Sequence, residues 1–363
     1  MSNFHVALKK VVDDSYDVQI GCGLIDDMIQ DIKEGLVGNK KKFAVITDSN
    51  VDEVYGRPVL EKILAAGYQG DLFVFAAGEK SKVRKTKEEI EDAMLAKGYR
   101  RDCCVIAVGG GVVTDLGGFA ASTFKRGMRC INVPTTLLAQ VDASLGGKTG
   151  FNFNGLKNEI GTFSIPEKVI IDVHFLSHLP VRERMSGFAE MIKHGLLSDR
   201  EYLTRLLSLE YQETSPEDFL ELIRRSVTIK GEIVSQDPRE QGLRKVLNFG
   251  HTIGHAIESL SIMRGMALLH GEAVALGLVA ELYLSVKEKG FPEEIYREVR
   301  NFVKRYYPNY PLMEHVDTLY ELMLHDKKNE RRGVNFTLLP GIGEFSLDNY
   351  CSKDLVVEAL SQV

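Results

Sequence analysis

The sequence predicts an N-terminal α/β domain with a parallel sheet, followed by a mainly α-helical domain. Short apolar runs alternate with helical patterns in the first half, and long amphipathic helices dominate after about residue 180. The chain has 363 residues, which is enough for two domains. We place the boundary between residues 1–178 and 179–363, because His178-Leu-Pro180 interrupts the chain just before a helical pattern.

Four apolar runs in the first half predict parallel strands, at 42–47, 72–76, 103–108 and 130–133. Helical patterns lie between these strands at 51–66, 82–97 and 112–122. The second half carries helical patterns at 181–197, 215–236, 248–260 and 271–289, and a short strand pair at 334–339 and 344–347. Each of the first four strands ends in a polar or glycine-rich turn, at the sheet edge where such folds bind ligands. We therefore expect the site in a cleft between the domains.

Composition narrows the possible functions. The chain is 44% hydrophobic and 26% charged with a net charge of -6, so it has no overall attraction for nucleic acid. Its five cysteines form no C-x-x-C pair, which favours free thiols in a reducing compartment. The apolar stretch 266–284 is interrupted by His270, Glu272 and Glu281, which favours a packed helix over a membrane span. We expect a cytoplasmic protein, because the N-terminus lacks the apolar core of a signal peptide.

Glu190, His251, His255 and His270 predict a metal site. One carboxylate and two imidazoles are a common ligand set for catalytic zinc, because they leave a coordination position open for substrate. His251 and His255 are four residues apart and would share one face of a helix. One histidine of this pair could contact the substrate instead of the metal.

The segment Gly109-Gly-Gly-Val-Val-Thr-Asp115 predicts a dinucleotide site. It follows an apolar strand and opens a helix, where backbone amides and the helix dipole favour a pyrophosphate. The full G-x-G-x-x-G pattern is not met, since Thr114 occupies the last glycine position. Asp48, which follows an earlier strand, could bind ribose hydroxyls. Glu79 and Lys82 lie in another turn at the same edge, where they either contact the nucleotide or form a solvated charged loop.

The segment 142–158 predicts an anion-binding loop, since it combines glycine flexibility with Lys148, Lys157 and Asn158. Its Gly146-Gly-Lys-Thr149 resembles part of a Walker A loop. The first glycine of that motif is absent, which argues against an ATPase. Further cations lie near the metal segments, and their clustering indicates a polyanionic substrate: Lys193, Lys230, Arg244 and Lys328.

Six ordered motifs closely resemble the 3-dehydroquinate synthase family of the sugar phosphate cyclase superfamily. They are the segments 109–118, 133–142, 146–150, 188–195, 247–255 and 269–272. The resemblance implies a Rossmann-like domain followed by a helical metal domain, usually in a homodimer. It also implies retained NAD, zinc or cobalt, and conversion of 3-deoxy-D-arabino-heptulosonate 7-phosphate to 3-dehydroquinate and phosphate. That reaction is the second step of the shikimate pathway to aromatic amino acids.

The resemblance also assigns individual roles. It implies a metal held by Glu190, His251 and His270. It implies substrate contacts, with the catalytic set given first: Asp142, Lys148, Lys193, Asn248 and His255, then Arg126, Asn158, Lys230, Arg244 and Lys328. Among these, Lys230 and Arg244 match contacts to the substrate carboxylate, and Arg126 matches an arginine that reaches the neighbouring subunit's site. It implies NAD contacts at Asp48, Asn50, Glu79, Lys82, Gly110, Gly111, Val112, Asp115, Thr135, Thr136, Asp142, Lys148 and Lys157.

Other functions stay open at this point. Cyclases that make an inosose or a valiolone act on substrates without a carboxylate, so Lys230 and Arg244 favour the dehydroquinate reaction. A cyclase that accepts a nitrogen analogue of the same substrate is harder to distinguish. A metal-dependent polyol dehydrogenase would share the architecture but would produce net NADH and would not need so many cations. A non-enzymatic module would bind metal without turnover. His178 stands where the family often has Thr, and we assign it no role.

Overall fold

The computed structural model describes residues 13–153, 156–210, 214–215, 217–324 and 333–363. The predicted substrate contact Lys328 lies outside these residues. The strands are β1 (Asp17–Gly21), β2 (Lys42–Asp48), β3 (Gln69–Phe75), β4 (Cys104–Gly109), β5 (Arg129–Pro134), β6 (Lys148–Phe153), β7 (Leu156–Phe163), β8 (Lys168–Asp172), β9 (Asn335–Gly341) and β10 (Glu344–Tyr350).

Within the described residues, four helices lie among the sheet strands and eight lie after residue 180. They are α1 (Ile25–Glu34), α2 (Arg57–Ala65), α3 (Arg84–Ala96), α4 (Gly111–Thr123), α5 (Val181–Ser198), α6 (Arg200–Leu207), α7 (Phe219–Gln236), α8 (His251–Met263), α9 (His270–Lys289), α10 (Glu293–Tyr306), α11 (Val316–Leu324) and α12 (Lys353–Leu360). Among the described residues, none of these helices is both long and apolar enough to cross a membrane.

Six parallel strands form the main sheet in the order β1-β8-β5-β4-β2-β3. Successive strand residues point to opposite faces, and both faces are apolar. Phe43 and Val45 join a core with α1 and α2, while Ala44 and Ile46 join a second core with α3 and α4. Burial on both faces explains why these strands read as continuous apolar runs. The predicted α/β fold with a parallel sheet is confirmed.

A third core fills the helical region and also contains Leu137, Val169 and Ile171 from the sheet region. The apolar faces of α5, α8 and α9 pack together in this core. The second half is mainly helical, as predicted, with one antiparallel strand pair, β9 and β10. The domain boundary after residue 178 stays a prediction, because this core draws residues from both sides of it.

The prediction of a flexible loop over 142–158 was wrong from Lys148 onward. Strands β6, over 148–153, and β7, over 156–163, pair antiparallel and are called the β6–β7 hairpin below. A Cβ atom built on Gly161 would lie 1.9 Å from the Thr149 carbonyl oxygen, so this glycine allows close strand pairing. Strands β1 and β8 were also not predicted. The helical pattern at 215–236 corresponds to α7, which begins only at Phe219.

Candidate active site

Glu190 lies at the centre of the candidate site, on α5. Its side chain is fully buried, and Lys193, one helical turn later, places its ammonium against the Glu190 carboxylate. Burial raises the pKa of Glu190, but the Lys193 charge and the His251 imidazole outweigh burial and hold the pKa well below its usual range. The carboxylate is therefore ionised within the helical core.

His251 is the first residue of α8, and its Nε2 lies 3.3 Å from Glu190 Oε1. Its Nδ1 lies 3.1 Å from the Phe249 carbonyl oxygen. Because a carbonyl can only accept, Nδ1 carries the proton and Nε2 presents a lone pair to Glu190. Burial and the Lys193 charge lower the His251 pKa to about 3, so the ring is neutral. A cation between these two groups would stabilise the arrangement.

His270 is the first residue of α9 and approaches the same carboxylate from the other side. Its Nε2 lies 3.6 Å from Glu190 Oε1, and its Nδ1 lies 3.1 Å from Glu258 Oε2. Burial lowers the His270 pKa, but Glu258 and Glu190 outweigh burial and raise it to about 9. The structure thus orients both imidazoles with Nε2 towards Glu190.

This arrangement fits a divalent metal. Ligand atoms of Glu190, His251 and His270 all lie within 4.8 Å of one another. Two ligands about 2.1 Å from a tetrahedral zinc are roughly 3.4 Å apart, close to the observed 3.3 and 3.6 Å. The ring of His255 lies 5.2 Å from that of His251 and 5.8 Å from that of His270, beside the three ligand atoms.

Glycines set the spacing of the helices that carry these histidines. Gly250 precedes α8 with a φ of 80°, and a Cβ atom there would lie 2.6 Å from Leu278 Cδ2 on α9. A Cβ atom on Gly277 would lie 2.1 Å from the Gly250 carbonyl oxygen. Larger residues would push α8 and α9 apart, and the two imidazoles with them.

An ion pair between half-buried Asp142 and buried Lys230 lies beside the ligand cluster. The Lys230 ammonium contacts Asp142 Oδ1 at 2.5 Å and the Asp142 carbonyl oxygen at 2.7 Å. Burial raises the Asp142 pKa, but Lys230 outweighs burial and lowers it. His194 lies within the same group, where its Nδ1 is 2.7 Å from Ser226 Oγ. Ligand-type atoms of Asp142, Glu190 and His194 also lie within 4.8 Å of one another.

A second polar cluster contains Lys148 and Asn248. Both contact Glu240, with Asn248 Nδ2 donating to Glu240 Oε1 at 2.8 Å. Arg244 is 2% exposed and donates to the carbonyl oxygens of Gly146 and Pro238. Each of these predicted substrate contacts therefore has a partner within the chain.

The predicted nucleotide turns lie together at the carboxyl edge of the sheet. Asp48 ends β2, Gly110 and Gly111 follow β4, and Thr135 follows β5. Asn50, Val112 and Thr136 lie in the same turns or the first turn of α4. A Cβ atom on Gly110 would lie 3.0 Å from Thr136 Cγ2, so these turns pack tightly. The Asp48 side chain accepts a hydrogen bond from the Asn50 amide at 2.8 Å.

Lys82 and Lys157 join this edge to neighbouring elements. Lys82 contacts the Asp115 carboxylate on α4 and donates to Asn158 Oδ1 at 2.6 Å. Lys157 contacts Glu79 Oε1 at 3.4 Å and Glu258 Oε1 at 2.5 Å. The second pair connects the β6–β7 hairpin to α8 in the helical region.

The length of helix α4 separates Arg126 from the predicted nucleotide turn. It follows the C-terminal end of α4, whose N-terminal end carries the glycine turn. The thirteen residues of α4 span roughly 20 Å, which separates Arg126 from that turn. His178 pairs with Tyr55, whose hydroxyl lies 2.8 Å from its Nδ1.

Sequence reasoning missed three residues of the site: His194, Glu240 and Glu258. Glu258 gave one usable signal, since it follows His251 by seven residues and so shares its helix face. Glu240 gave none, because its partner Lys148 is 92 residues away in the chain.

Comparison with known proteins places these features in a family. The family model of the 3-dehydroquinate synthase N-terminal region matches residues 72–186 of this chain. The family model of the C-terminal region matches residues 187–329. A 3-dehydroquinate synthase of Parabacteroides distasonis is 46% identical over 88% of this chain and 90% of its own length. One from Alkaliphilus oremlandii is 36% identical over 96% of this chain and 95% of its own length.

Solved structures of other cyclases are similar over nearly the whole chain. A 2-epi-5-epi-valiolone synthase from Streptomyces hygroscopicus subsp. jinggangensis, with NAD+ and Zn2+ bound, has a TM-score of 0.85 and 28% identity over 99% of this chain and 98% of its own. A 2-deoxy-scyllo-inosose synthase complexed with carbaglucose-6-phosphate, NAD+ and Co2+ has a TM-score of 0.83 and 25% identity over 95% and 96% of the two chains.

Proposed function

The chain belongs to the 3-dehydroquinate synthase family, and we propose that it converts 3-deoxy-D-arabino-heptulosonate 7-phosphate to 3-dehydroquinate and phosphate. The observation that carries this proposal is the convergence of Glu190, His251 and His270 beside buried cations. A metal next to several ammonium and guanidinium groups suits a substrate with a phosphate, a carboxylate and several hydroxyls.

The proposed cofactors are NAD and one divalent ion, zinc or cobalt. Glu190, His251 and His270 would hold the metal, and His251 already presents a lone pair to that position. When bound, NAD would supply reversible removal and return of a hydride at the substrate, and the metal would supply Lewis-acid polarisation of substrate oxygens. Because the hydride is returned, the substrate undergoes no net oxidation.

The turns at the carboxyl edge of the sheet would hold NAD. Amides of Gly110, Gly111 and Val112, at the start of α4, suit the pyrophosphate, because the helix dipole favours an anion there. Asp48 and Asn50 would contact ribose hydroxyls. The remaining proposed contacts border the same edge or the hairpin beside it: Glu79, Lys82, Asp115, Thr135, Thr136, Asp142, Lys148 and Lys157.

Substrate binding is assigned to the charged groups around the metal position. Lys230 and Arg244 would bind the carboxylate, and Asp142, Lys193 and Asn248 the ring hydroxyls. The phosphate end would meet His255, Lys148 and Asn158, with Lys328 as a further proposed contact. In this structure Lys230, Arg244 and Lys148 bond to groups of the chain, so the substrate would exchange those partners for its own oxygens.

The catalytic work of these residues is largely positioning. Lys148, Lys193, His255, Asn248 and Asp142 would fix the phosphate and the hydroxyls while the substrate phosphate itself accepts the proton during elimination. Holding reacting groups in one geometry can lower a barrier by about 7–11 kcal/mol at best. The cations also lower the energy of the departing phosphate.

We propose a cytoplasmic homodimer. Arg126 follows the end of α4 distant from the glycine turn, so it would complete the site of a neighbouring subunit rather than its own. A complementation test follows from this geometry: mixing Arg126→Ala chains with Glu190→Ala chains would restore part of the activity.

Other cyclases are the nearest alternative, and the similar structures of the inosose and valiolone synthases are the reason to consider them. Lys230 and Arg244 favour a carboxylate-bearing substrate, because each is at most 5% exposed and would need an anionic oxygen to replace its present partner.

The test is release of phosphate from 3-deoxy-D-arabino-heptulosonate 7-phosphate with NAD and zinc, while NADH absorbance is followed. The proposal predicts phosphate release without net NADH, abolished by a chelator and restored by zinc. Net NADH without phosphate would indicate a dehydrogenase and would overturn the proposal.

A further inference from the structure

Glu258 is a buried carboxylate that the proposed reaction does not use. It lies on α8 and is 3% exposed. Its Oε2 lies 3.1 Å from His270 Nδ1, and its Oε1 lies 2.5 Å from Lys157 Nζ. One carboxylate therefore contacts both a proposed metal ligand and a residue of the sheet-side hairpin.

The contacts of Lys157 extend this link towards the proposed NAD site. Lys157 also lies 3.4 Å from Glu79 Oε1, and Glu79 accepts a hydrogen bond from Asn152 Nδ2 at 2.7 Å. A continuous chain of charged groups runs from the sheet edge to His270.

We propose that Glu258 is a positioning residue that orients His270 for the metal and, through Lys157, couples metal binding to dinucleotide binding. The cofactor identities rest on the proposed function. By accepting a hydrogen bond from Nδ1, Glu258 holds the His270 ring with Nε2 facing Glu190, and such outer carboxylates typically strengthen metal binding.

The contacts of Lys157 predict whether bound NAD strengthens or weakens metal binding. A dinucleotide that orders Glu79 and Lys157 also holds Lys157 against Glu258, and so keeps Glu258 in place against His270. Bound NAD should therefore tighten metal binding. Because coupling between two ligands is reciprocal, the metal should tighten NAD binding by the same factor.

The chain offers a matched control in Glu272. This carboxylate is 4% exposed, lies two residues from His270, and is paired with a cation, Arg182, at 2.6 and 2.7 Å. It also accepts a hydrogen bond from the Leu269 amide at 2.7 Å. Glu272→Gln thus removes a similar buried charge near His270, at the start of α9, but one whose partners are Arg182 and the backbone.

The first experiment compares zinc affinity of Glu258→Gln, Glu272→Gln and the wild type, by competition with a chromophoric chelator in the absence of NAD. Glu258→Gln should bind zinc about 10–100-fold more weakly, and Glu272→Gln within about threefold of wild type. Thermal unfolding of the zinc-free proteins identifies any variant that fails to fold. Equal losses in both variants, or none in Glu258→Gln, would overturn the positioning role.

The second experiment repeats the zinc titration with saturating NAD and adds Lys157→Met. NAD should tighten zinc binding by about fivefold or more in the wild type. In Lys157→Met, zinc affinity without NAD should stay within about threefold of wild type, whereas the NAD effect should disappear. No NAD effect in the wild type, or an undiminished effect in Lys157→Met, would overturn the coupling.

These titrations are independent of the reaction. If the zinc affinities behave as expected but phosphate is not released, the proposed substrate is wrong and the role of Glu258 stands. If phosphate is released but Glu258→Gln binds zinc normally, the role of Glu258 is wrong and the proposed reaction stands.

Discussion

The two sides of the site are built from different groups. At the glycine turn of the sheet edge, the proposed ligand groups are backbone amides and small side chains, such as those of Gly110, Gly111 and Thr135. In the helical region they are buried charged or imidazole groups, such as those of Glu190 and Lys193. The first side depends on close approach of the backbone, and the second depends on charge compensation. Substitutions at the sheet edge should therefore change NAD affinity without changing the unfolding free energy. Substitutions in the helical region should change both ligand binding and the unfolding free energy.

Loss of the central carboxylate should have the largest effect. Glu190→Ala removes one of three metal ligands, so bound zinc should fall from about one per chain to under about a tenth and phosphate release should fall by about 10³-fold or more. Metal analysis of the purified protein measures the first effect. Glu183→Ala, on the first turn of the same helix, is the control and should keep its zinc. One zinc per chain in Glu190→Ala would contradict the assignment of Glu190 as a metal ligand.

The pair of Asp142 and Lys230 tests charge compensation. Lys230→Met should lower the unfolding free energy by about 2–4 kcal/mol, because it leaves the Asp142 carboxylate without its cation. The double variant Asp142→Asn/Lys230→Met should recover at least about half of that loss but no activity. Urea unfolding measures the unfolding free energy of the single and the double variant. A double variant less stable than Lys230→Met would show that the pair does not act as a unit.

Gly110→Ala tests the sheet edge. The added methyl group would crowd Thr136 at 3.0 Å and hinder approach of the pyrophosphate, so NAD affinity should fall about 10-fold while zinc content stays unchanged. Gly231→Ala is the control, since nothing lies within 4 Å of its added Cβ atom in α7. It should raise the unfolding free energy by about 0.5–1 kcal/mol. Calorimetric titration with NAD measures the affinity of each variant. Unchanged NAD affinity in Gly110→Ala would contradict the assignment of Gly110 to the pyrophosphate site.

Lys148 should give the smallest effect on stability. Its side chain is 49% exposed, so losing its contact with Glu240 in Lys148→Met should change the unfolding free energy by less than about 1 kcal/mol. The same change should raise KM several-fold, because Lys148 is a proposed phosphate contact. A large loss of stability with unchanged KM would make Lys148 a structural residue.

Local pattern explains which parts of the fold the sequence predicts. The apolar runs of β2 to β5 and the amphipathic periods of α5, α7, α8 and α9 are contained in single segments, and the structure confirms them. The β6–β7 hairpin was missed because Gly150 and Gly161 resemble loop glycines. Only the paired strand shows that they permit close approach across the hairpin.

Distance along the chain explains which parts of the site could not be predicted. Motifs identified Glu190, His251 and His270, which the structure brings together from three helices. The contact of Lys157 with Glu258 spans 101 residues, and neither residue type indicates a partner on its own. The orientation of the imidazoles likewise depends on the Phe249 carbonyl and Glu258, which only the folded chain places beside them.

The most direct test of the account compares two substrates. The buried cations Lys230 and Arg244 should commit the enzyme to a substrate with a carboxylate. We would measure kcat/KM for phosphate release from 3-deoxy-D-arabino-heptulosonate 7-phosphate and from a heptulose 7-phosphate that carries a hydroxymethyl group instead. We expect a preference of about 10⁴-fold for the carboxylate, because Arg244, whose partners within the chain are the Gly146 and Pro238 carbonyl oxygens, would otherwise have no anionic partner. Equal or faster turnover of the hydroxymethyl substrate would contradict it.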